Sequence, residues 1–342
     1  MTIAVIGGGG WGTALSILLS GKGHDVRLWV YEPDLAERMR GERRNDRFLP
    51  GVAIPADVAI ANDLAPVVDG AETLLLVTPS HALRSTATRI RAEAPRALER
   101  VQRVVIATKG LEQKTLRRMS EVVAETLPGT VGTAPVVLAG PSHAEEVARG
   151  IPTAVVAASR DPGHAAETQE AFSTDAFRVY TNDDLIGVEI AVALKNVVAI
   201  AAGISDGLGF GDSTKGALLT RGLVEIARLG EALGARPETF FGLAGMGDLV
   251  ATATSRHSRN RRLGEAVGRG ATLAEALAAT PMVAEGVSTC QAAVDLAATR
   301  GIELPIAEQV RAMLFEGKRP RDAMRELLTR DLKPETNAAR GR

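Results

Sequence analysis

Lysine is rare in this arginine-rich chain, and two of its lysines stand at apolar elements, where an ammonium is costly to keep. Lys195 interrupts Ile190-Ala191-Val192-Ala193-Leu194 and Val197-Val198-Ala199-Ile200, a run with apolar residues on nearly every face of a helix. Desolvation lowers an ammonium's pKa toward the range useful for proton transfer, which makes Lys195 the leading candidate general acid or base. The alternative is a lysine held in a core ion pair with Glu189 or with another helix; Glu189 shares a face with Asn196 rather than with Lys195, so it is not the obvious partner. Lys109 ends the apolar strand Val104–Thr108, and doubly wound sheets bind ligands at the carboxyl ends of their strands.

Three further groups could meet a substrate, two of them suited to an anion or a carbonyl. Gly140-Pro141-Ser142 follows the apolar strand Val136–Ala139 and opens the helical run Ala144–Arg149, so backbone amides and the Ser142 hydroxyl face outward there. Gly245-Met246-Gly247-Asp248 reads as a tight turn exposing a carboxylate, which either touches substrate or holds Lys195 in place. In Arg256-His257-Ser258-Arg259-Asn260-Arg261-Arg262, an arginine able to grip phosphate bidentately stands between two small donors, Ser258 and Asn260. A solvated basic helix face accounts for Arg261 and Arg262 but less well for Ser258, Arg259 and Asn260.

The chain opens on Ile3-Ala4-Val5-Ile6 running into Gly7-Gly8-Gly9-Gly10-Trp11-Gly12, in which Gly7, Gly9 and Gly12 satisfy Gly-x-Gly-x-x-Gly at a strand-to-helix junction. Gly7 permits the tight turn, Gly9 lets amides approach a pyrophosphate, and Gly12 lets the helix sit close to the sheet. A dinucleotide, NAD or NADP, is the expected cofactor. Glu32 lies about 20 residues past the last glycine, where an acidic residue accepts from the ribose hydroxyls. It would favour NAD unless it is only a solvated turn carboxylate, and Arg38 or Arg43 could swing in toward a 2′-phosphate, so both cofactors stay open. His143 is expected to pack or face solvent, because no Gly-x-Ser-x-Gly elbow surrounds it and Ser142. The remaining histidines have no ligand spacing and Cys290 is the only cysteine, so no metal is expected.

The elements that must position these residues fall into two halves. Up to about residue 180, short β-branched runs (Ile3–Gly7, Val26–Tyr31, Thr73–Thr78, Val104–Thr108, Val136–Ala139, Ala154–Ala158, Phe177–Tyr180) alternate with helical patterns such as Thr13–Ser20 and Leu116–Thr126. That is the pattern of a doubly wound parallel sheet. After the turn and helix cap Thr181-Asn182-Asp183-Asp184 the apolar period becomes helical almost to the end. The expected division is a dinucleotide-binding α/β domain over 1–183, an all-α substrate and catalytic domain over 184–330, and a polar, frayed tail over 331–342. The formal net charge of -1, without a basic run interleaved with aromatics, argues against nucleic acid as a partner. Leu185–Ile204 reaches membrane-spanning length but carries Glu189, Lys195 and Asn196, so it reads as a core helix rather than an integral membrane segment. The opening residues lack the basic region of a secretory signal, and a cytoplasmic protein is expected.

The ordered set Gly7 to Leu15, Ala107-Thr108-Lys109-Gly110-Leu111-Glu112, Ala139-Gly140-Pro141-Ser142, Leu194-Lys195-Asn196-Val197, Gly245-Met246-Gly247-Asp248-Leu249 and Ser258-Arg259-Asn260-Arg261 resembles the bacterial NAD(P)-dependent glycerol-3-phosphate dehydrogenases. Ser205 to Gly211, Thr220 to Leu223 and Val283 to Gly286 are similar as well, in that family's order. The resemblance implies a Rossmann domain followed by a helical one, the active site in the cleft between them, a homodimer, and glycerol 3-phosphate made from dihydroxyacetone phosphate for phospholipids. It implies Lys195 as proton acceptor, with Lys109, Gly140, Ser142, Asp248, Ser258, Arg259 and Asn260 holding substrate. Gly10, Trp11, Tyr31, Lys109, Ala144, Arg259, Val283 and Glu285 match positions that line the cofactor. His143 and Tyr31 depart from the family's usual residues. Two other classes share parts of this pattern: a dehydrogenase of the same plan acting on a carboxylated substrate, and a non-catalytic NAD(P)-sensing protein.

Overall fold

The computed structural model describes residues 1–127, 129, 134–279, 283–332 and 334–335. Among the described residues ten strands form, β1 (Thr2–Ile6), β2 (Asp25–Trp29), β3 (Arg44–Asn45), β4 (Leu49–Ala53), β5 (Ala59–Ala61), β6 (Thr73–Leu76), β7 (Arg103–Ile106), β8 (Val136–Ala139), β9 (Thr153–Ala158) and β10 (Phe177–Asn182). Eight of them make one sheet in the order β10-β9-β8-β7-β6-β1-β2-β5, parallel throughout except where β9 runs antiparallel to β8. The central strands β1, β6, β7 and β8 are almost wholly apolar because both faces are covered. Ile3 and Val5 of β1 enter one core cluster with Leu75 and Val105, while Ala4 and Ile6 enter another with Leu74, Leu76, Val104 and Ile106. The order of strands reverses about β1, flanked by β2 and β6, which opens a crevice at the carboxyl ends of the strands.

Three strands were not expected from the sequence. β5 is a three-residue edge, and β3 pairs antiparallel with β4 in a separate ribbon that holds Pro50 and Gly51, poor strand formers. The helix expected over Leu116–Thr126 begins only at Met119, because Leu116 sits at φ +58° and Leu111 pairs with Arg118 across the loop. The tail expected to fray, 331–342, lies mostly outside the described residues.

After β10 every element among the described residues is helical. Asp184 caps the long helix Leu185–Gly207, its Oδ1 accepting from the Gly187 amide at 2.9 Å. This helix is apolar and long enough to cross a membrane, yet it is buried inside the protein. Leu185, Val188 and Val192 pack with the sheet's core, and Ile190 through Ile204 form the centre of the helical core. Cys290 packs in that second core, its thiol donating to the Ala307 carbonyl, and burial pushes it up to about 12.

Helix Leu185–Gly207 crosses helix Arg259–Gly268 at a distance only glycine permits. A Cβ on Gly203 would lie 1.9 Å from the Arg261 carbonyl oxygen, and one on Gly264 would lie 2.0 Å from that of Ile200. Asp206 braces the crossing by pairing with both Arg261 and Lys215 at 2.7 Å. Arg261 is therefore a strut between helices, not the solvated surface charge its sequence context suggests. Gly203→Ala should destabilise the fold by about 1–3 kcal/mol through backbone overpacking, read as a lowered denaturation midpoint; an unchanged midpoint would show that the crossing relaxes freely.

Candidate active site

The turn after β1 has the geometry its glycines require. Gly7 adopts φ +131°, and a Cβ on Gly12 would lie 1.9 Å from the Gly7 carbonyl oxygen, so the helix Gly10–Gly21 starts in contact with the turn. A Cβ on Gly10 would meet the Phe48 carbonyl oxygen at 2.5 Å, whereas a Cβ on Gly9 would meet nothing within 4 Å. The helix's first amides have no partner within it, which makes this opening a natural anion site. Beside it the Trp11 indole Nε1 is buried without a hydrogen-bond partner. Tyr31 stands 66% exposed past the end of β2, its ring edge-on to Trp29. Glu32 occupies the cap position of helix Pro33–Glu42. Of the two arginines that could approach a ribose phosphate, Arg43 is already engaged, donating to the carbonyls of Pro55 and Val58, while Arg38 is exposed. The residues present thus fit a dinucleotide, whose pyrophosphate the amides of this turn would hold.

Lys109, Lys195 and Asp248 meet at the junction of sheet and helices. The Lys195 ammonium donates to Asp248 Oδ1 at 2.7 Å and to Thr252 Oγ1 at 2.5 Å; Lys109 donates to Asp248 Oδ2 at 3.1 Å and to the Gly140 carbonyl at 3.3 Å. One buried carboxylate therefore bridges a lysine from the loop after β7 and a lysine from the long helix. Asp248 opens the helix Asp248–Thr254 directly after a π-helical turn, Leu243–Gly247, and is 2% exposed, not the solvent-facing carboxylate expected of a tight turn. The reason is Gly245, where a Cβ would come within 2.1 Å of the Phe240 carbonyl oxygen; without a side chain there, the turn folds inward.

The charges set each other's protonation. Burial drives Lys195 down to about 8 against the opposing pull of Asp248, and the positive charge of Lys109 adds to the lowering. Burial also pushes Asp248 up, but Lys109 and Lys195 together outweigh it and hold the carboxyl below its ordinary value. Glu189, fully buried six residues before Lys195, accepts from the Ser120 amide at 2.8 Å, from the Ser120 hydroxyl and from Arg118. It clamps the helix to the loop beyond Lys109 and leaves Lys195 to Asp248.

The remaining expected residues separate into those that face the cleft and those engaged in holding it. Ser142 Oγ donates to the Gly140 carbonyl at 3.0 Å, the acceptor that Lys109 also uses. Arg259 is open to solvent yet walled by protein; the crowding lowers its guanidinium below the ordinary value, against Glu285 and Glu145, and it makes no ion pair among the described residues. Ser258 is buried as the cap of helix Arg259–Gly268, accepting from the Arg261 amide. Asn260 is buried too, donating to Asn196 Oδ1 at 3.0 Å and accepting from the Gly286 amide at 3.0 Å. Next to Gly286, Glu285 accepts from the Ser80 amide and hydroxyl, tying the helical half to the helix after β6. Val283 is exposed, and Ala144 stands beside Gly10. His143 is half-buried in tilted contact with His257, and burial holds its imidazole below the usual range. Thr252, Ser80 and Glu189 carry much of this geometry and were not singled out as site residues from the sequence. Thr252 lies one helical turn after Asp248, a relation legible only once the helix start is known.

A doubly wound dinucleotide fold followed by a helical region, with a desolvated lysine where they meet, defines a nicotinamide-dependent dehydrogenase. Residues 2–165 match the sequence model for the N-terminus of NAD-dependent glycerol-3-phosphate dehydrogenase and residues 184–325 the one for its C-terminus, and the chain belongs to that family. Glycerol-3-phosphate dehydrogenase [NAD(P)+] of Citrifermentans bemidjiense is 51% identical over 97% of this chain and 98% of its own length. The enzyme of that name from Chlorobium limicola is 49% identical over 98% and 99%. The crystal structure of glycerol-3-phosphate dehydrogenase from Coxiella burnetii superposes with a TM-score of 0.91 at 42% identity, covering 96% of this chain and 99% of that one.

Asp248→Asn should move the Lys195 midpoint below about 8, because the carboxylate is the chief group holding its proton on. The pH dependence of Lys195 modification by an amine-reactive reagent reads this, and a midpoint unmoved or raised would contradict the assignment.

Proposed function

We propose that this chain interconverts dihydroxyacetone phosphate and sn-glycerol 3-phosphate with NAD(P)H or NAD(P)+. The observation that carries the reading is the Lys195–Asp248–Lys109 bridge at the carboxyl ends of the strands, within a chain of this family. Gly7, Gly9, Gly10, Trp11 and Gly12 would hold the cofactor's pyrophosphate, with Tyr31, Ala144, Val283 and Glu285 along the rest of it; Glu32 and the exposed Arg38 leave NAD and NADP both admissible. When bound, the cofactor supplies the hydride in reduction and takes it up in oxidation. Lys195 gives its Nζ proton to the ketone oxygen as negative charge develops there, and takes the hydroxyl proton in reverse. Lys109 stabilises the same charge, Asp248 orients both ammoniums, and Thr252, one turn on, holds Lys195 beside the same carboxylate oxygen. Arg259 grips the phosphate, with Gly140 and Ser142 lining the opposite wall. Ser258 and Asn260 act through Arg259, as its cap and its buried neighbour.

In this reading 1–183 is the cofactor domain and 184–330 the substrate domain of a cytoplasmic homodimer whose product serves glycerophospholipid synthesis.

The test is absorbance at the nicotinamide band with each cofactor, with and without dihydroxyacetone phosphate; cofactor binding without turnover would return the chain to the NAD(P)-sensing class. Reduction needs Lys195 protonated, so its kcat/KM should be full below about pH 8 and fall above it, while oxidation should rise through the same value. Profiles that share one direction would rule out Lys195 as the titrating group. Lys195→Ala should lower turnover by about a hundredfold or more with NAD(P)H binding retained. Arg259→Ala should raise the KM for the phosphorylated substrate about tenfold or more, with the smaller effect on kcat.

A further inference from the structure

The ribbon β3–β4 stands outside the main sheet, yet its residue Asn45 is fully buried. Burying a primary amide is unfavourable unless its polar atoms find partners. Asn45 Nδ2 donates to the Gly8 carbonyl at 2.8 Å and to Thr13 Oγ1 at 2.7 Å, and its Oδ1 accepts from the Phe48 amide at 3.2 Å. Leu49 and Val52 of the same ribbon pack with Ala14 against Trp11 and Ile17, on the first turns of the helix that leaves the glycine turn. The ribbon is therefore seated on the back of the dinucleotide loop, and Asn45 is its polar contact with the loop's backbone.

A trans peptide is planar, with its C=O and N–H on opposite edges. Gly8 supplies the carbonyl and Gly9 the amide of one such plane. Glycine on both sides leaves the plane free to rotate, because no Cβ restricts the flanking dihedrals. The bond from Asn45 to the Gly8 oxygen removes that freedom and turns the Gly9 N–H away from the ribbon. Gly9 is also the position beside which a side chain would meet nothing within 4 Å.

We propose that Asn45 is a positioning residue for cofactor binding: by pinning the Gly8 carbonyl it fixes the Gly9 amide as a donor for the dinucleotide's pyrophosphate. This rests on the dehydrogenase reading above and adds to it a residue remote in sequence from the glycine fingerprint. Its effect falls on cofactor affinity and not on chemistry, since Asn45 is a neighbour of neither Lys195 nor Arg259 in the described contacts.

Asn45→Asp is the direct test. The carboxylate keeps the size of the amide and can still accept from Phe48, but it presents a lone pair to the Gly8 oxygen where a hydrogen stood. NADH and NADPH are titrated into the full-length chain by fluorescence, alongside the melting temperature of the protein without cofactor. The dissociation constant should rise roughly tenfold, with the KM for dihydroxyacetone phosphate and kcat at saturating cofactor within about twofold of the parent. Thr13→Val leaves the Gly8 bond in place and should bind cofactor within about threefold of the parent. If Asn45→Asp does not fold, Asn45→Ala is read by the same titration. A folded variant that binds cofactor as the parent does overturns the proposal. So does Thr13→Val matching the loss, which would assign the effect to seating of the ribbon. If the unaltered chain binds neither NADH nor NADPH, the dehydrogenase reading falls and the proposal with it.

Discussion

A buried carboxylate shared between a buried ammonium and a half-buried one holds the centre of this protein. Asp248 is nearly inaccessible, and each of its oxygens accepts a hydrogen bond from a different lysine, Lys195 on the long helix and Lys109 on the loop after β7. Either lysine alone would balance the carboxylate; both together leave a net positive charge in a desolvated place. That excess is why Asp248 stays ionised despite burial, while burial first and the charge of Lys109 second lower Lys195, the more deeply buried lysine, so that it can release its proton near pH 8. A third basic group, Arg259, raises the positive potential further and is left without an ion-pair partner among the described residues. The cleft is poised for a ligand that carries negative charge at one end and develops it at the other.

Keeping that excess charge in place demands a rigid frame, and the long helix Leu185–Gly207 supplies it. Its first turns pack with the sheet's core and its remainder forms the axis of the helical half, so Lys195 sits where the two halves adjoin. Glu189 fastens the helix to the Ser120 turn, and Gly203 and Gly207 let Arg259–Gly268 press against it backbone to backbone. Arg259 and Lys195 thus belong to elements whose separation is set by main-chain contact, which tolerates little adjustment. The same economy recurs at the other end of the cleft, where Gly7, Gly10 and Gly12 let turn, ribbon and helix converge.

What could be read from the sequence was local in cause. Ile3 to Ile6 followed by three spaced glycines specifies strand, turn and helix within a dozen residues, and Leu185–Gly207 declares itself by an apolar run too long for a strand. Lys109, Lys195 and Asp248 could each be singled out, because a charge in an apolar element or beside a glycine turn is conspicuous by itself. The short β5 and the ribbon β3–β4 escaped because Pro50 and Gly51 disguise the ribbon and β5 spans three residues.

Tertiary structure alone decided which of these groups meet. That both lysines share Asp248, that Arg43 and Arg261 are engaged elsewhere, and that Asn45 reaches the Gly8 carbonyl follow from contacts between residues 12 to 139 positions apart. Hydropathy and propensity constrain a residue's own surroundings, whereas a hydrogen-bond partner depends on where every intervening element is packed. The sequence determined that Lys195 would be buried with its charge; only the assembled fold buried Asp248 beside it and determined which groups would stand opposite one another.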